Sequence, residues 1–211
     1  MSLIIEKRED KFSFIVWEID EDLSFFLDKF KICDLEKQEI SNFSEHRLFE
    51  WWSSRYLLYL LENEDKRSCV LKDGYGKPYL QNSSKNISIS HSGKKIAAVI
   101  SKEVIGIDIQ NISPKVDLIK NKFLSARELE SGEELELLNL MWTVKEAVYK
   151  AYGKKKLSFK ESIVINGFKR SEDAIISEVI IEKNNIKIKY QVVSYNIEKA
   201  ILSIAFENAS I

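Results

Sequence analysis

An acidic and a basic side chain lie one turn apart near the end of a predicted long helix, residues 133–152. Trp142, Glu146 and Lys150 follow one another at intervals of four residues, so they share one face of this helix. Gly153 comes next and suits a left-handed helix end. Such an acid and base form either an ordinary surface ion pair or part of a reactive site. The motifs that precede the helix favour the second interpretation.

A second carboxylate lies on a predicted strand earlier in the chain. Asp108 and Gln110 alternate with Ile107 and Ile109, so the polar side chains face away from the core. A buried carboxylate needs a partner, which is either a divalent cation or a Lys or Arg side chain. Mg²⁺ usually takes one or two carboxylates together with phosphate oxygens and waters. Asp108 and Glu146 would supply that number, and Gln110 would add a neutral oxygen or hold a water.

Two further motifs carry groups that bind phosphate. Ser90-His91-Ser92 ends a predicted strand and is followed by Gly93-Lys94-Lys95, so hydroxyl, backbone N–H and cationic groups share one turn. Gly76-Lys77-Pro78 places a cation on a rigid, extended segment. A hydrogen-bonded structural histidine and a solvated surface lysine are the alternatives.

Two arginines on an earlier predicted helix would add to this phosphate site. Arg47 and Arg55 are two turns apart on roughly one face and could bind phosphates bidentately. The alternative is that Arg47 pairs with Glu50 on the same helix. Together with the other motifs, these residues indicate a site that holds a metal ion and a polyphosphate.

Composition restricts the class of protein. The 211 residues are 45% hydrophobic and 31% charged, which is typical of a soluble globular protein. The net charge of −1 gives no field that favours nucleic acid or an anionic membrane, so any anion site must be local. No apolar run approaches the roughly 20 residues of a membrane span, and the chain starts without a secretory signal. Cys33 and Cys69 lack metal-ligand spacing, so we expect buried free thiols and a cytoplasmic protein.

The elements that position these motifs follow the order helix, strands, helix, strands. This order predicts an α+β fold of two similar α/β halves, residues 1–112 and 113–211. Trp51 and Trp52 are expected in the core. Asn184-Asn185 predicts a hairpin turn, and Ser125 with Glu128 a capping box. The predicted helices are 20–31, 35–62 with a break near 41–44, 115–123 and 133–152; the predicted strands are 12–19, 68–72, 79–81, 86–90, 96–101, 104–110, 162–168, 174–182, 185–194 and 200–206.

A basic cluster follows the long helix at Lys154-Lys155-Lys156. Its charges would interact favourably with the carboxyl end of the helix dipole, or would bind an acidic protein partner beside the site. Both interpretations remain open.

Four of these motifs, in this order and spacing, resemble the 4'-phosphopantetheinyl transferases, in particular the larger, surfactin-synthetase-activating type. The resemblance covers about residues 47–160, and the motifs in series are specific although each is loose. The four motifs are Gly76-Lys77-Pro78, Ile89-Ser90-His91-Ser92, Gly106-Ile107-Asp108-Ile109 and Trp142-x-x-Lys145-Glu146-Ala147-x-x-Lys150.

The resemblance implies a monomer of two halves related by pseudo-twofold symmetry, with CoA bound in the cleft between them. It implies transfer of the phosphopantetheine arm of CoA to a serine of an acyl or peptidyl carrier protein, with release of adenosine 3',5'-bisphosphate. Asp108 and Glu146 would bind Mg²⁺ or Mn²⁺, Glu146 would act as base and Lys150 would meet the leaving phosphate. The residues that would hold the nucleotide and its phosphates are Arg47, Arg55, Lys77, Pro78, Ser90 and His91.

One position departs from the pattern of the family. Gln110 stands where many relatives have a second acidic residue after Asp108, so we do not expect a three-carboxylate metal site here. The alternative function is therefore a catalytically weak paralogue that binds CoA or a carrier protein.

Overall fold

The chain forms two compact units, Met1–Glu103 and Val104–Ile211. A computed structural model describes residues 2–63, 67–154 and 157–208. The division lies between Glu103 and Val104 and not between residues 112 and 113 as predicted. The reason is that the strand carrying Asp108 pairs with the last strand of the chain, Ala200–Glu207, and so belongs to the second unit.

The first unit contains a six-stranded antiparallel sheet in the order β1-β2-β6-β5-β4-β3. Its central strand β6 is buried along its whole length and carries the apolar run Ile96–Ile100. β1 was not predicted, because three of its seven residues are the charged Glu6, Lys7 and Arg8, which an edge strand tolerates. The strands are β1 (Ser2–Arg8), β2 (Phe12–Glu18), β3 (Val70–Lys72), β4 (Pro78–Leu80), β5 (Asn86–Ser92) and β6 (Lys95–Ser101).

Three helices complete the first unit: α1 (Leu23–Leu27), α2 (Asp34–Ile40) and α3 (Glu45–Glu62). The predicted break lies between α2 and α3, where the Ser44 hydroxyl accepts a hydrogen bond from the Arg47 backbone N–H at 3.4 Å. Trp51 and Trp52 are 4% and 6% exposed, so their predicted place in the core is confirmed.

The cysteines differ from the prediction. Cys33 precedes α2 and Cys69 precedes β3, and the two form a disulfide with a Cα–Cα distance of 6.2 Å. The expectation of free thiols is therefore wrong. The cysteines are 36 residues apart in sequence, and only the packing of α2 against β3 brings them together. The cytoplasmic prediction loses the support that it took from free thiols.

The second unit contains a five-stranded antiparallel sheet in the order β7-β11-β10-β9-β8, covered by a long helix α6. The Asn184-Asn185 turn joins β9 to β10 with positive φ at both residues, as predicted. The strands are β7 (Ile105–Asn111), β8 (Ile163–Arg170), β9 (Ile175–Lys183), β10 (Ile186–Ile197) and β11 (Ala200–Glu207); the helices are α4 (Lys115–Phe123), α5 (Ala126–Leu129), α6 (Leu135–Tyr152) and α7 (Phe159–Ser162).

A fully buried lysine ties α6 to its surroundings. The Lys145 ammonium group donates to the Glu128 carboxylate at 2.8 Å and to three backbone carbonyl oxygens at 2.7 to 2.9 Å. These carbonyls belong to Phe123, Phe159 and Ile163. Glu128 also closes the predicted capping box with Ser125. One buried charge thus links α4, α5, α7 and β8 to α6, which restricts the position of that helix.

The observed architecture is α+β with two antiparallel sheets, which agrees with the predicted fold class. A pseudo-twofold relation between the units stays a prediction. None of the helices in the described part of the chain is long and apolar enough to cross a membrane.

Candidate active site in the second unit

The site depends on an unusually close approach of α6 to β7 at Gly106. A Cβ atom at this position would lie 2.2 Å from the Ala147 carbonyl oxygen and 2.3 Å from the Ala151 backbone nitrogen. Only glycine fits there, because both neighbours are helix backbone. This close approach brings the polar face of α6 onto the strand that carries Asp108.

Asp108 and Lys150 form an ion pair across this contact. The Lys150 Nζ lies 2.8 Å from an Asp108 carboxylate oxygen, and Asp108 is 6% exposed. Ile107 and Ile109 are fully buried on the other face of β7, as the alternation predicts. The sequence left two partners open for Asp108, a divalent cation or a basic side chain. The structure shows a basic side chain, Lys150, across the contact between helix and strand.

Glu146 lies in the electrostatic field of this ion pair. Its pKa is raised to about 7, first by burial, then by the negative charge of Asp108, while the charge of Lys150 acts in the opposite direction. A carboxyl group with this pKa is ionised in part of the molecules near neutral pH and can both take up and release a proton. Two acids and one base therefore act on one another electrostatically at this contact.

The donor set around Asp108 and Glu146 suits a hard divalent cation. Two carboxylates of like charge raise the cost of ionising both, and a bound cation removes that cost. Gln110 follows Asp108 on the same face of β7 and is half-buried, so its amide oxygen is a neutral third donor. Oxygen ligands of this kind and number fit Mg²⁺ or Mn²⁺.

The predicted phosphate motifs lie in the first unit. His91 at the end of β5 and the turn residues Gly93, Lys94 and Lys95 line a cavity of about 330 Å³. Ser90 is 4% exposed, so its side chain is buried within the unit. The Ser90-His91-Ser92 motif is thus divided, with His91 on the cavity wall and Ser90 in the interior.

Lys77 and Pro78 form the predicted rigid segment. The turn before them is closed by Asp73, whose carboxylate accepts hydrogen bonds from the backbone N–H groups of Tyr75 and Lys77. Gly76 has a φ of 92° in this turn, and β4 begins at Pro78. The Lys77 side chain is half-buried.

The prediction that Arg47 and Arg55 share a face of α3 is wrong. Arg47 is exposed and packs over the Phe43 ring at 3.8 Å, whereas Arg55 is only 5% exposed. Eight residues turn an α-helix about 80° beyond two full turns, which separates an exposed side chain from a buried one.

Arg55 is held within the unit by Glu39 and Trp51. The guanidinium lies 3.5 Å from a Glu39 oxygen and 4.6 Å from the Trp51 ring centre. Burial lowers the Arg55 pKa to about 10. This burial removes Arg55 from the predicted phosphate contacts.

Sequence reasoning missed two cavity residues, His46 and Glu50. Their i, i+4 spacing on α3 was the available signal, and both line the same cavity as His91. For the basic cluster after α6, the structure places Lys154 over the Tyr152 ring at 5.8 Å. Lys155 and Lys156 lie outside the described residues.

Comparison with known proteins finds a family model that matches most of the second unit. The family model described as the 4'-phosphopantetheinyl transferase superfamily matches residues 104–205. Two curated relatives match about half of this chain. The 4'-phosphopantetheinyl transferase gsp of Aneurinibacillus migulanus is 28% identical over 107 residues, 47% of this chain and 44% of the relative.

The second relative, the 4'-phosphopantetheinyl transferase Sfp of Bacillus subtilis, is 29% identical over 103 residues, 46% of this chain and 45% of the relative. The chain thus matches less than half the length of each relative. The matched segment includes Gly106, Asp108, Glu146 and Lys150. Residues 104–205 of this chain are therefore similar to the 4'-phosphopantetheinyl transferase superfamily, in agreement with the resemblance to its larger, surfactin-synthetase-activating type.

Proposed function

We propose that this protein transfers the 4'-phosphopantetheine arm of CoA to a serine of an acyl or peptidyl carrier protein and releases adenosine 3',5'-bisphosphate. The observation that carries the proposal is the meeting of Asp108, Glu146 and Lys150 inside a segment of this superfamily. Transfer of a phosphoryl-type group requires positioning and neutralisation of charge more than covalent participation of the protein.

Asp108 and Glu146 would hold the divalent cation of this reaction, Mg²⁺ or Mn²⁺, and Gln110 would add a neutral oxygen or orient a water. When bound, the cation neutralises charge on the pyrophosphate of CoA. Since Gln110 supplies no negative charge, we expect weaker metal binding than at a site of three carboxylates.

Glu146 accepts the proton of the carrier serine, directly or through a water. The serine oxygen then forms a bond to the phosphorus that carries the pantetheine arm, and the bridging oxygen leaves with adenosine 3',5'-bisphosphate. Lys150 turns from Asp108 to the leaving phosphate, where its positive charge stabilises the oxygen that departs.

The nucleotide part of CoA lies against the first unit in this proposal. His91 lines the cavity of about 330 Å³ and supplies a hydrogen-bonding ring, and the segment at Lys77 and Pro78 supplies a cation on a rigid turn. Arg47 contributes from the exposed face of α3, whereas Ser90, which is buried at the end of β5, supports the position of His91. A cofactor cleft between the units, their pseudo-twofold relation, a monomeric state and a cytoplasmic location belong to the same proposal.

Mass spectrometry tests the reaction. Apo carrier proteins of the fatty-acid, polyketide, peptide-synthetase and lysine-pathway classes are incubated with CoA, Mg²⁺ and this protein. We expect one class to gain the phosphopantetheine mass at its serine, and no gain with any class would reject the transferase. Glu146→Gln should lower the rate by about 100-fold or more while the circular dichroism spectrum is unchanged.

A second candidate function is a binding paralogue that turns over slowly or not at all. Gln110 favours it, because the site holds one negative charge fewer than a three-carboxylate site. Calorimetry distinguishes the two functions: tight CoA binding that does not change with Mg²⁺, together with no transfer, supports the paralogue.

A further inference from the structure

The β3–β4 hairpin, which carries Lys77 in its turn, has little support from its own sheet. β3 is an edge strand and pairs with β4 over the three residues Val70–Lys72. In the described part of the chain, β4 pairs with β5 only at Tyr79, opposite Asn86. β5 and β6, in contrast, are paired along their whole length. The position of the hairpin therefore depends strongly on contacts from outside the sheet.

Helix α2 makes such contacts through its acidic side chains. The Glu36 carboxylate is fully buried and accepts hydrogen bonds from the Val70 backbone N–H at 3.1 Å and from the Arg67 guanidinium at 2.8 Å. Farther along the helix, Glu39 accepts a hydrogen bond from the Lys72 ammonium group at 2.6 Å. Both acids thus hold β3 or the residues just before it.

The disulfide adds a covalent link at the same place. Cys33 lies directly before α2 and Cys69 directly before β3, and both residues are half-buried. Unlike the ion pairs and hydrogen bonds between α2 and β3, this link is broken by a thiol reductant. Reduction therefore weakens the attachment of the hairpin without removing it.

A displacement of β3 is transmitted to Lys77 through the turn of the hairpin. Lys72, the last residue of β3, pairs with Pro78, the first residue of β4. Within the turn, the Asp73 backbone N–H donates to the Lys77 carbonyl oxygen at 3.0 Å, and the Asp73 carboxylate accepts from the Lys77 backbone N–H at 2.9 Å. The turn is thus closed by its own hydrogen bonds and moves together with the strand.

We propose that the Cys33–Cys69 disulfide positions Lys77 for CoA, so that reduction of the disulfide lowers the affinity for CoA and reoxidation restores it. The inference rests on the proposed function, because that function supplies CoA as the ligand and Lys77 as one of its contacts. The reductant is a dithiol: its two sulfurs join in a disulfide, and each cysteine sulfur takes up one electron and one proton. The chemical step is unaffected, because the two acids and the lysine that carry it belong to the second unit.

Calorimetry with S-methyl-CoA tests the inference, because this ligand has no free thiol to exchange with the disulfide. We expect the Kd to rise about five- to tenfold when dithiothreitol reduces the protein, which corresponds to a hairpin that keeps its binding position in about a tenth to a fifth of the molecules. In the carrier assay with the same ligand, the KM should rise by a similar factor, while kcat stays within about twofold.

Cysteine and lysine variants test whether the effect passes through the disulfide and Lys77. The double variant Cys33→Ser, Cys69→Ser should bind with the affinity of the reduced protein and should not respond to dithiothreitol. In Lys77→Met, the Kd should be nearly independent of the redox state, because the contact that the disulfide positions is gone. A redox effect of full size in Lys77→Met overturns the inference, and so does an equal Kd for the oxidised and the reduced unaltered protein.

Lys72→Met removes a second link between α2 and the hairpin, so reduction should raise the Kd of this variant about twofold more than that of the unaltered protein. Lys37→Met is the matched control, because Lys37 pairs with Asp34 within α2 itself. Reduction should affect this control as it affects the unaltered protein. Equal effects of reduction in the two variants would contradict the attachment of the hairpin through α2.

Hydrogen exchange shows whether the reduced first unit switches or unfolds. Protection should fall in β3 and β4 and stay unchanged in β6, the buried central strand. Loss of protection in β6 as well overturns the inference, because the fall in affinity would then come from unfolding of the unit.

The carrier assay separates this inference from the proposed function. Transfer with a KM that does not depend on the redox state rejects only the role of the disulfide. A redox-dependent Kd without transfer to any carrier supports the role of the disulfide and rejects the transferase. Absence of binding in both redox states overturns both.

Discussion

The two units each lay an 18-residue helix on an antiparallel sheet, yet they use charged residues differently. In the first unit, α3 buries Arg55 against Glu39, and nearby Arg67 forms a bidentate ion pair with the fully buried Glu36. In the second unit, α6 also buries one charge, that of Lys145. The adjacent face of α6 places Glu146 and Lys150 close to Asp108.

The comparison separates charges that support a fold from charges that are available for chemistry. Glu36 accepts hydrogen bonds from Arg67 and from the backbone N–H groups of Cys33 and Val70, so its carboxylate is occupied by partners within the fold. Glu146 is instead destabilised as an anion by burial and by Asp108. A raised pKa at a partly buried carboxyl group is therefore the feature that distinguishes the candidate site.

The largest effect is expected from removing the buried charge of α6. Lys145→Met leaves the Glu128 carboxylate buried without its cation and should lower the free energy of unfolding by about 3–5 kcal/mol. Denaturant unfolding measures this loss. Lys187→Met, which removes a surface ion pair with Glu182, should cost less than about 1 kcal/mol. Equal losses in the two variants would contradict the structural role of Lys145.

Reduction of the disulfide tests the first unit alone. The crosslink between Cys33 and Cys69 spans 36 residues, and a loop of that length predicts a loss of about 4 kcal/mol on reduction. Hydrogen exchange should show faster opening of α2 and β3, while β10 and β11 in the second unit are unchanged. In the double variant Cys33→Ser, Cys69→Ser, a reductant should not change the stability. An identical loss of stability in the variant and the unaltered protein would contradict this prediction.

A side chain at Gly106 should damage the second unit at the site itself. Gly106→Ala places a methyl group against the backbone of α6 and should cost about 2–3 kcal/mol, because helix and strand must separate. Gly74→Ala is the control, since nothing lies within 4 Å of the added atom there. Thermal unfolding compares the two variants. A loss at Gly106 no greater than at Gly74 would refute the close approach.

The stability of the protein should also change with pH through Glu146. Its folded-state pKa of about 7 lies above the ordinary 4.5, so its stabilising contribution is complete below about pH 4.5 and is lost as the pH rises through 7. Glu146→Gln should therefore stabilise the protein at pH 8 and have little effect at pH 4.

NMR titration of the Glu146 carboxyl carbon checks the same electrostatic cause. A midpoint near 7 is expected without added metal, and Asp108→Asn should lower it, because the Asp108 charge is one cause of the raised pKa. An unchanged midpoint in Asp108→Asn would show that the two carboxyl groups do not interact. Lys150→Met should move the midpoint upward.

Local patterns were sufficient for most of the helices and strands. The apolar period predicted α3, α4 and α6, and the turn chemistry of Asn184-Asn185 predicted the β9–β10 hairpin. β1 was not predicted, because its charged residues obscure the alternation of apolar and polar residues that indicates a strand. The capping box of Ser125 and Glu128 predicted the short helix α5, whereas α7, with four residues, contains too little sequence to show a period.

The sequence alone determined which residue types lie on one helix face or one strand face, because those periods are set by backbone geometry. Glu146 and Lys150 on α6, and Asp108 and Gln110 on β7, follow from this rule. Tertiary structure alone decided that Lys150 pairs with Asp108, 42 residues away, and that Cys33 pairs with Cys69. Such partners depend on how elements pack, which in the second unit requires the close contact at Gly106, and no local spacing encodes that contact.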